Sequence, residues 1–94
     1  MGGQVTYSCE IEIQNKKGLH ARASALFVKC AEQFDAEIRV TKSGETVGGT
    51  SIMGLMMLAA SKGSLIRIEA SGDEAQEALN ALTELIQDKF REES

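Results

Sequence analysis

Residues 36–47 read AEIRVTKSGETV and predict a β-hairpin. Every second residue from Ala36 to Val40 is apolar, and this period of two is typical of a strand with one buried face. Ser43-Gly44 suits a two-residue hairpin turn, which leads into a short second strand at Thr46-Val47. Because a hairpin joins antiparallel strands, we expect an antiparallel sheet.

The segment before the hairpin predicts a strand followed by a helix. Apolar and polar residues alternate from Val5 to Ile13, which indicates another half-buried strand. Asn15 and Gly18 then mark a loop. From Ala21 the apolar residues recur every three or four positions, as on one face of a helix. This stripe contains Ala23, Leu26, Phe27, Cys30 and Phe34.

The segment after the hairpin predicts a helix, a strand and a longer helix. Ser51 is a good N-cap for a helix from about Ile52 to Ser61, with Gly63 near its end. A strand follows at Leu65, Ile66, Ile68 and Ala70. The residues from Asp73 to Gln76 resemble an acidic capping box for the last helix. The apolar stripe of that helix is Ala75, Ala78, Leu79, Leu82, Ile86 and Phe90.

The predicted order is β-α-β-β-α-β-α. Because the strands alternate polar and apolar residues, one face of the sheet should carry helices and the other should meet water. We therefore expect an open-faced β-sandwich of the α+β class, with a four-stranded antiparallel sheet covered on one face by three helices. The 94 residues should form one domain, 1–94, in which residues 1–4 are flexible.

The composition excludes several classes of protein. The net charge is −4, aromatic residues make up 4% and there is no Trp, which together disfavour nucleic-acid binding. No apolar run is long enough for membrane insertion. Cys9 and Cys30 lie far apart on predicted apolar faces, so we expect reduced thiols, a cytoplasmic location and no metal site.

The run Gly18-Leu19-His20-Ala21-Arg22-Ala23-Ser24 contains the only histidine of the chain, at the predicted start of a helix. The free N–H groups of a helix start favour an anion, a neutral imidazole is a good nucleophile, and the Arg22 fork matches phosphate oxygens. No acid occurs between Glu12 and Glu32, whereas the acids from Asp73 onward predict a solvated helix face. We see no carboxylate pattern that would indicate a triad or a metal site. His20 and Arg22 therefore predict a phosphoryl site.

The predicted second helix, from Ser51 to Ala60, contains no charged residue. A helix in a two-layer domain buries only one side, so part of this apolar surface should remain exposed. With Leu55 and Leu58 on one face, the residues expected to form a surface for partner proteins are Ile52, Met53 and Met56. Ser51 is expected to cap the helix, and its phosphorylation would change partner affinity.

The runs GLHARAS and TSIMGLMMLAASKG together resemble the histidine-containing phosphocarrier (HPr) family of the bacterial phosphotransferase system. The resemblance covers nearly the whole chain. It implies that His20 accepts a phosphoryl group on Nδ1 from phosphorylated enzyme I and donates it to EIIA domains, with help from Arg22. It further implies that Ser51 is the serine phosphorylated by HPr kinase/phosphorylase. Such a protein is a monomeric carrier rather than an enzyme and needs no cofactor.

The chain departs from the family at Ala23, where proline is common after the arginine. Alanine fits the same first turn of a helix, and we expect Ala23 to lie at the partner surface with a less rigid turn. Two alternatives to the sugar-type carrier remain. One is a nitrogen-related paralogue that uses the same chemistry in a regulatory phosphorelay. The other is a ferredoxin-like or ACT-like interaction or ligand-sensing module, which shares the β-α-β-β-α-β order.

Overall fold

The computed structural model describes residues 5–92, and it contains the predicted order of elements. The strands are β1 (Thr6–Glu12), β2 (Glu37–Lys42), β3 (Glu45–Gly48) and β4 (Leu65–Ser71). The helices are α1 (Ala21–Ala31), α2 (Ile52–Met57) and α3 (Ala75–Gln87), followed by a single 3-10 turn at Lys89–Arg91. The flexibility expected for residues 1–4 concerns residues outside this range.

The four strands form one sheet in the order β1-β4-β2-β3, and every neighbouring pair is antiparallel. The predicted hairpin joins β2 and β3, with Lys42 opposite Glu45. Ser43 and Gly44 both have positive φ, 52° and 86°. Positive φ at both central residues is the geometry of a type I′ turn, whose twist matches that of the paired strands. The hairpin prediction is confirmed.

The three helices cover one face of the sheet. α3 packs against β1 and β4, and α1 packs against α2 and α3. Ile38 and Val40 of β2 are buried beneath the helices, whereas Arg39 between them is exposed on the open face. The largest fully buried apolar side chains are Phe27, Phe90, Ile13, Leu55, Ile66, Ile68, Leu82, Ile86 and Val40. The open-faced β-sandwich of the α+β class is therefore confirmed.

The second helix is shorter than the sequence predicts. α2 ends at Met57 rather than near Ser61, because Ala59 adopts a left-handed conformation with φ 54° and turns the chain. This turn leaves Ala60 buried, with its carbonyl accepting a hydrogen bond from the Leu19 amide at 2.9 Å. The end of the helix thus depends on a contact with a loop that is distant in sequence. The residues after Met57 carry no local signal that predicts this contact.

The start of the last helix also differs from the prediction. Glu74 is the N-cap residue of α3, and no side chain caps the helix, so the expected capping box is absent. The Glu74 carboxylate instead accepts a hydrogen bond from the Asp35 amide at 2.7 Å, while the Glu74 amide donates to the Asp35 carbonyl at 2.9 Å. The carboxylate therefore ties α3 to the segment that enters β2.

The predicted apolar stripe of the last helix is buried throughout, but Phe90 reaches the core by a different route. α3 ends at Gln87, and the next residues, Lys89, Phe90 and Arg91, have φ of 54°, 53° and 62°. This left-handed turn is unfavourable for residues other than glycine. The Phe90 ring is 1% exposed, and its burial offsets that cost. The turn directs the chain back toward α1.

The two thiols are free and partly buried. Burial raises the pKa of Cys9, and burial raises the pKa of Cys30 against an opposing effect of the Arg91 charge. Within residues 5–92, no three potential ligands among His, Cys, Asp and Glu are grouped to hold a metal ion. In the same range, no helix has both the length and the apolar character required to span a bilayer.

Candidate phosphoryl-transfer site

His20 is the N-cap residue of α1, as the sequence predicts. Its backbone is extended, with φ −75° and ψ −177°, and its carbonyl accepts the first helical hydrogen bond from Ser24 at 2.8 Å. The His20 side chain makes no hydrogen bond to the first amides of α1. The imidazole therefore lies beside a helix start whose positive end can receive an anion.

Gly18 fixes the loop that leads to His20. It has φ 64°, and a Cβ atom here would lie 2.2 Å from the carbonyl oxygen of Ala60. The next residue, Leu19, donates its amide hydrogen bond to that same oxygen. Glycine is needed because the backbones approach too closely for a side chain and the left-handed conformation is otherwise costly. Gly18 therefore has one fixed conformation, which lets the loop before α1 pack closely against Ala60 beyond the end of α2.

The imidazole of His20 is bounded by an acceptor at each nitrogen. Nδ1 lies 3.0 Å from the carbonyl oxygen of Gly18, and Nε2 lies 3.6 Å from Oε2 of Glu92. The side chain is 26% exposed, so the ring is partly accessible from solvent. The site therefore combines a partly exposed imidazole with an oxygen acceptor near each of its nitrogens.

Glu92 and Asn15 are site residues that the sequence analysis missed. The sequence predicts a loop at Asn15 and a solvated helix face at Glu92. That assignment of Glu92 is wrong, because its side chain is 11% exposed and faces His20. Asn15 is 1% exposed, and its Nδ2 donates to Oε2 of Glu92 at 2.9 Å.

The three residues after Ala21 have different surroundings. Arg22 is exposed and forms no ion pair with any carboxylate of residues 5–92, so its guanidinium is available to an anion. Ser24 is buried, and its hydroxyl donates to the Leu19 carbonyl at 3.1 Å. Ala23 is 0% exposed. The prediction that Ala23 lies at the partner surface is therefore wrong, since its side chain faces the core.

Ser51 caps α2, and the helix exposes the predicted apolar residues. The Ser51 hydroxyl accepts a hydrogen bond from the Gly54 amide at 2.9 Å. Ile52, Met53 and Met56 are exposed, whereas Leu55 and Leu58 are buried. Met57 is also exposed, although the sequence does not predict it as part of this surface. We call the four exposed residues Ile52, Met53, Met56 and Met57 the α2 apolar surface.

The fold and the site define a small α+β protein with one accessible histidine at a helix start and a free arginine in the next turn. Residues 7–88 match the family model described as "PTS HPr component phosphorylation site". The chain is 56% identical over 82 residues to phosphocarrier protein HPr of Neisseria meningitidis, covering 87% of this chain and 92% of that protein. It is 50% identical over 84 residues to phosphocarrier protein HPr of Pseudomonas aeruginosa, covering 88% and 93%.

Solved structures give the same result. A crystal structure of HPr from Thermoanaerobacter tengcongensis superimposes with a TM-score of 0.90 at 46% identity, covering 94% of this chain and 99% of that one. An HPr dimer from the same organism has a TM-score of 0.74 at 49% identity, covering 87% and 94%. The chain belongs to the HPr family, the phosphocarriers of the phosphotransferase system. This membership favours the phosphocarrier over the ligand-sensing alternative.

Proposed function

We propose that His20 accepts a phosphoryl group from phosphorylated enzyme I and donates it to EIIA domains. The observation that carries this proposal is the accessible imidazole at the start of α1, whose two nitrogens both face oxygen acceptors. A neutral imidazole carries one proton, so one of its two nitrogens keeps a lone pair that can attack phosphorus. The protein is then a covalent carrier, and its own histidine is the intermediate.

The surroundings of His20 can hold the transferred group. The first turn of α1 has no acidic residue and no side-chain cap, so its amides and dipole favour the phosphoryl oxygens. Arg22 lies in this turn and can pair with two of those oxygens through its planar fork. Both features stabilise negative charge at the histidine, which is what a carrier requires during transfer.

Incubation with phosphoenolpyruvate and enzyme I tests the proposal. A carrier should gain one acid-labile phosphoryl group, seen by mass spectrometry of the intact protein, and should lose it when a purified EIIA domain is added. Enzyme I omitted from the mixture is the control. A protein that gains no phosphoryl group under these conditions is not the proposed carrier, whatever its fold.

Replacement of Arg22 should slow transfer without changing the fold. Arg22→Lys keeps the charge but loses the two-point fork, so we expect a moderate reduction. Arg22→Gly loses both and should slow transfer by about ten- to a hundredfold, because a hydrogen bond to a charged group contributes about 1.5–3 kcal/mol. Quench-flow labelling by enzyme I measures the rates. Parental rates in both variants would show that Arg22 is a solvated helix residue only.

We propose that the α2 apolar surface binds enzyme I and EIIA domains. The α1 helix that begins after His20 packs against α2, and the hydrogen bond from Leu19 to Ala60 joins the loop before His20 to the segment just beyond α2. The helix carries no charge, and its exposed methionine side chains can adapt to more than one partner. The partner proteins then approach both the histidine and this surface in one contact.

A charge at Met53 should weaken this contact. Met53 is 68% exposed, so Met53→Glu should leave the free energy of unfolding nearly unchanged. Its affinity for enzyme I should fall at least about tenfold, because burying an unpaired carboxylate costs several kcal/mol. Isothermal titration calorimetry measures the affinity. The matched control is Leu65→Glu, since Leu65 is 61% exposed on β4 and lies outside α2. Equal affinities for the two variants would contradict the proposed surface.

We propose further that phosphorylation of Ser51 by HPr kinase/phosphorylase regulates transfer. The hydroxyl caps α2 and adjoins Ile52, so a phosphate there would place charge at the edge of the α2 apolar surface.

We also propose that the protein acts as a cytoplasmic monomer that binds neither nucleic acid nor membranes. Because an HPr dimer is known from T. tengcongensis, the oligomeric state of this protein should be measured by sedimentation analysis before and after labelling.

A further inference from the structure

Three of the four methionines in the chain lie together on α2. Met56 and Met57 follow Met53 by three and four residues, so both side chains are neighbours of Met53 on the helix surface. The three side chains are 40%, 71% and 68% exposed, in that order. The fourth methionine, Met1, lies outside the described residues. The α2 apolar surface therefore presents three thioether sulfur atoms in one exposed patch.

The two thiols of the chain have a different environment. Cys9 and Cys30 are partly buried, and burial raises the pKa of both thiols. A thiol is oxidised as its thiolate, so a raised pKa lowers the reactive fraction. A methionine has no such proton to lose, and its oxidation depends on exposure of the sulfur atom. The side chains of α2 are thus accessible to an oxidant under conditions that keep the thiols protonated.

We infer that Met53, Met56 and Met57 form an oxidation-sensitive site, at which conversion to methionine sulfoxide releases partner proteins from the α2 apolar surface. The inference rests on the proposed binding of enzyme I and EIIA domains there. In each step a sulfur lone pair forms the S–O bond with one oxygen of a hydroperoxide while the O–O bond breaks. Sulfur is oxidised, and hydrogen peroxide is reduced to water. In the reverse step two thiols reduce the sulfoxide, and the products are the methionine, a disulfide and water.

A sulfoxide changes this surface more than it changes the fold. Its S–O group accepts hydrogen bonds from water, and a partner that covers it must remove that water. One buried polar group without a new hydrogen bond should lower affinity by about tenfold. The side chains that anchor α2 in the core are Leu55 and Leu58, which contain no sulfur. The melting temperature should therefore stay within about 4 °C of its untreated value.

Oxidation of the isolated protein, before a partner is added, tests the inference. Treatment with hydrogen peroxide at about pH 5 keeps the thiols protonated, and catalase then removes the peroxide. Peptide mapping by mass spectrometry should find one added oxygen atom on each of Met53, Met56 and Met57. Isothermal titration calorimetry at neutral pH should show an affinity for enzyme I at least about tenfold lower. Treatment with methionine sulfoxide reductases A and B and a thiol should restore it.

The matched control is the triple variant Met53→Leu/Met56→Leu/Met57→Leu, which keeps Met1 and both thiols but has no sulfur on α2. Relative to its own untreated affinity, this variant should lose less than about twofold after peroxide. A variant with both cysteines replaced by alanine should lose affinity as the parent does. These two variants separate oxidation of α2 from oxidation elsewhere in the chain.

Three results would overturn the inference. They are parental affinity in protein that carries all three sulfoxides, an equal loss in the triple leucine variant, and a fall in melting temperature large enough to unfold the oxidised protein. Failure of the untreated parent to bind enzyme I would instead contradict the proposed function of the α2 apolar surface.

Discussion

Replacement of His20 with alanine is expected to abolish phosphoryl labelling by enzyme I and phosphoenolpyruvate. His20 is the only histidine, so no second imidazole can take over the transfer. Its ring is partly exposed and makes two polar contacts, one with the Gly18 carbonyl and one with the Glu92 carboxylate. Loss of one such hydrogen bond costs about 1 kcal/mol, and the Gly18 carbonyl keeps its hydrogen bond from Asn15. The melting temperature should therefore fall by no more than about 4–8 °C.

His20→Gln is the matched variant for this experiment, because an amide side chain can donate to Gly18 but has no nucleophilic nitrogen. Both variants should bind enzyme I with parental affinity while remaining unlabelled. Mass spectrometry after labelling and calorimetric titration with enzyme I measure the two properties. Labelling that persists in either variant would place the phosphoryl group on another residue and end the proposal for His20.

Phosphorylation of Ser51 is expected to slow transfer from enzyme I without unfolding the protein. The added charge is about −1.5 to −2 at neutral pH, and α2 has no charged residue to compensate it. A partner that covers the α2 apolar surface must desolvate this charge, which costs several kcal/mol. We therefore expect a rate at least about tenfold lower, measured by quench-flow labelling of the phosphorylated protein.

Ser51→Asp and Ser51→Ala separate the charge from the cap. Asp is as good an N-cap as Ser, whereas Ala removes the hydrogen bond to Gly54 and costs about 1 kcal/mol of stability. If the charge controls transfer, Ser51→Asp is slow and Ser51→Ala is fast, although Ser51→Ala is the less stable. Ser43→Asp adds the same charge on the β2–β3 turn and should transfer at the parental rate. Parental transfer by protein phosphorylated at Ser51 would contradict the regulatory role.

The sequence predicted the elements whose signals are local. The alternation before Ser43-Gly44 and the turn preference of that pair define the hairpin, and the structure places both residues at positive φ. The stripe that includes Phe27 predicts the buried face of α1, and with it the position of His20 as the residue before the first turn. The sequence likewise predicts Ser51 as the cap of α2, because the capping hydrogen bond joins Ser51 to Gly54, only three residues further on.

The ends of α2 and α3 could not be predicted in the same way. Ala59 and Lys89 are left-handed residues that are not glycine, so their sequence carries no stop signal. The turn at Ala59 buries Ala60 against Gly18, and the turn at Lys89 buries Phe90 in the core. Burial of these neighbours stabilises the two left-handed turns. The burial of Ala23, which places it away from the partner surface, also depends on how α1 packs.

The sequence by itself determined the α+β class, the order of strands and helices, and the placement of His20, Arg22 and Ser51 at helix starts. These features follow from periods of two and 3.6 residues and from capping preferences, which act over a few positions. Only the tertiary structure decided that Glu92 faces the histidine, because Asn15 and Glu92 are 77 positions apart and meet through the left-handed turn at Phe90. Burial of that ring brings the carboxylate to His20, and no local pattern encodes such a contact.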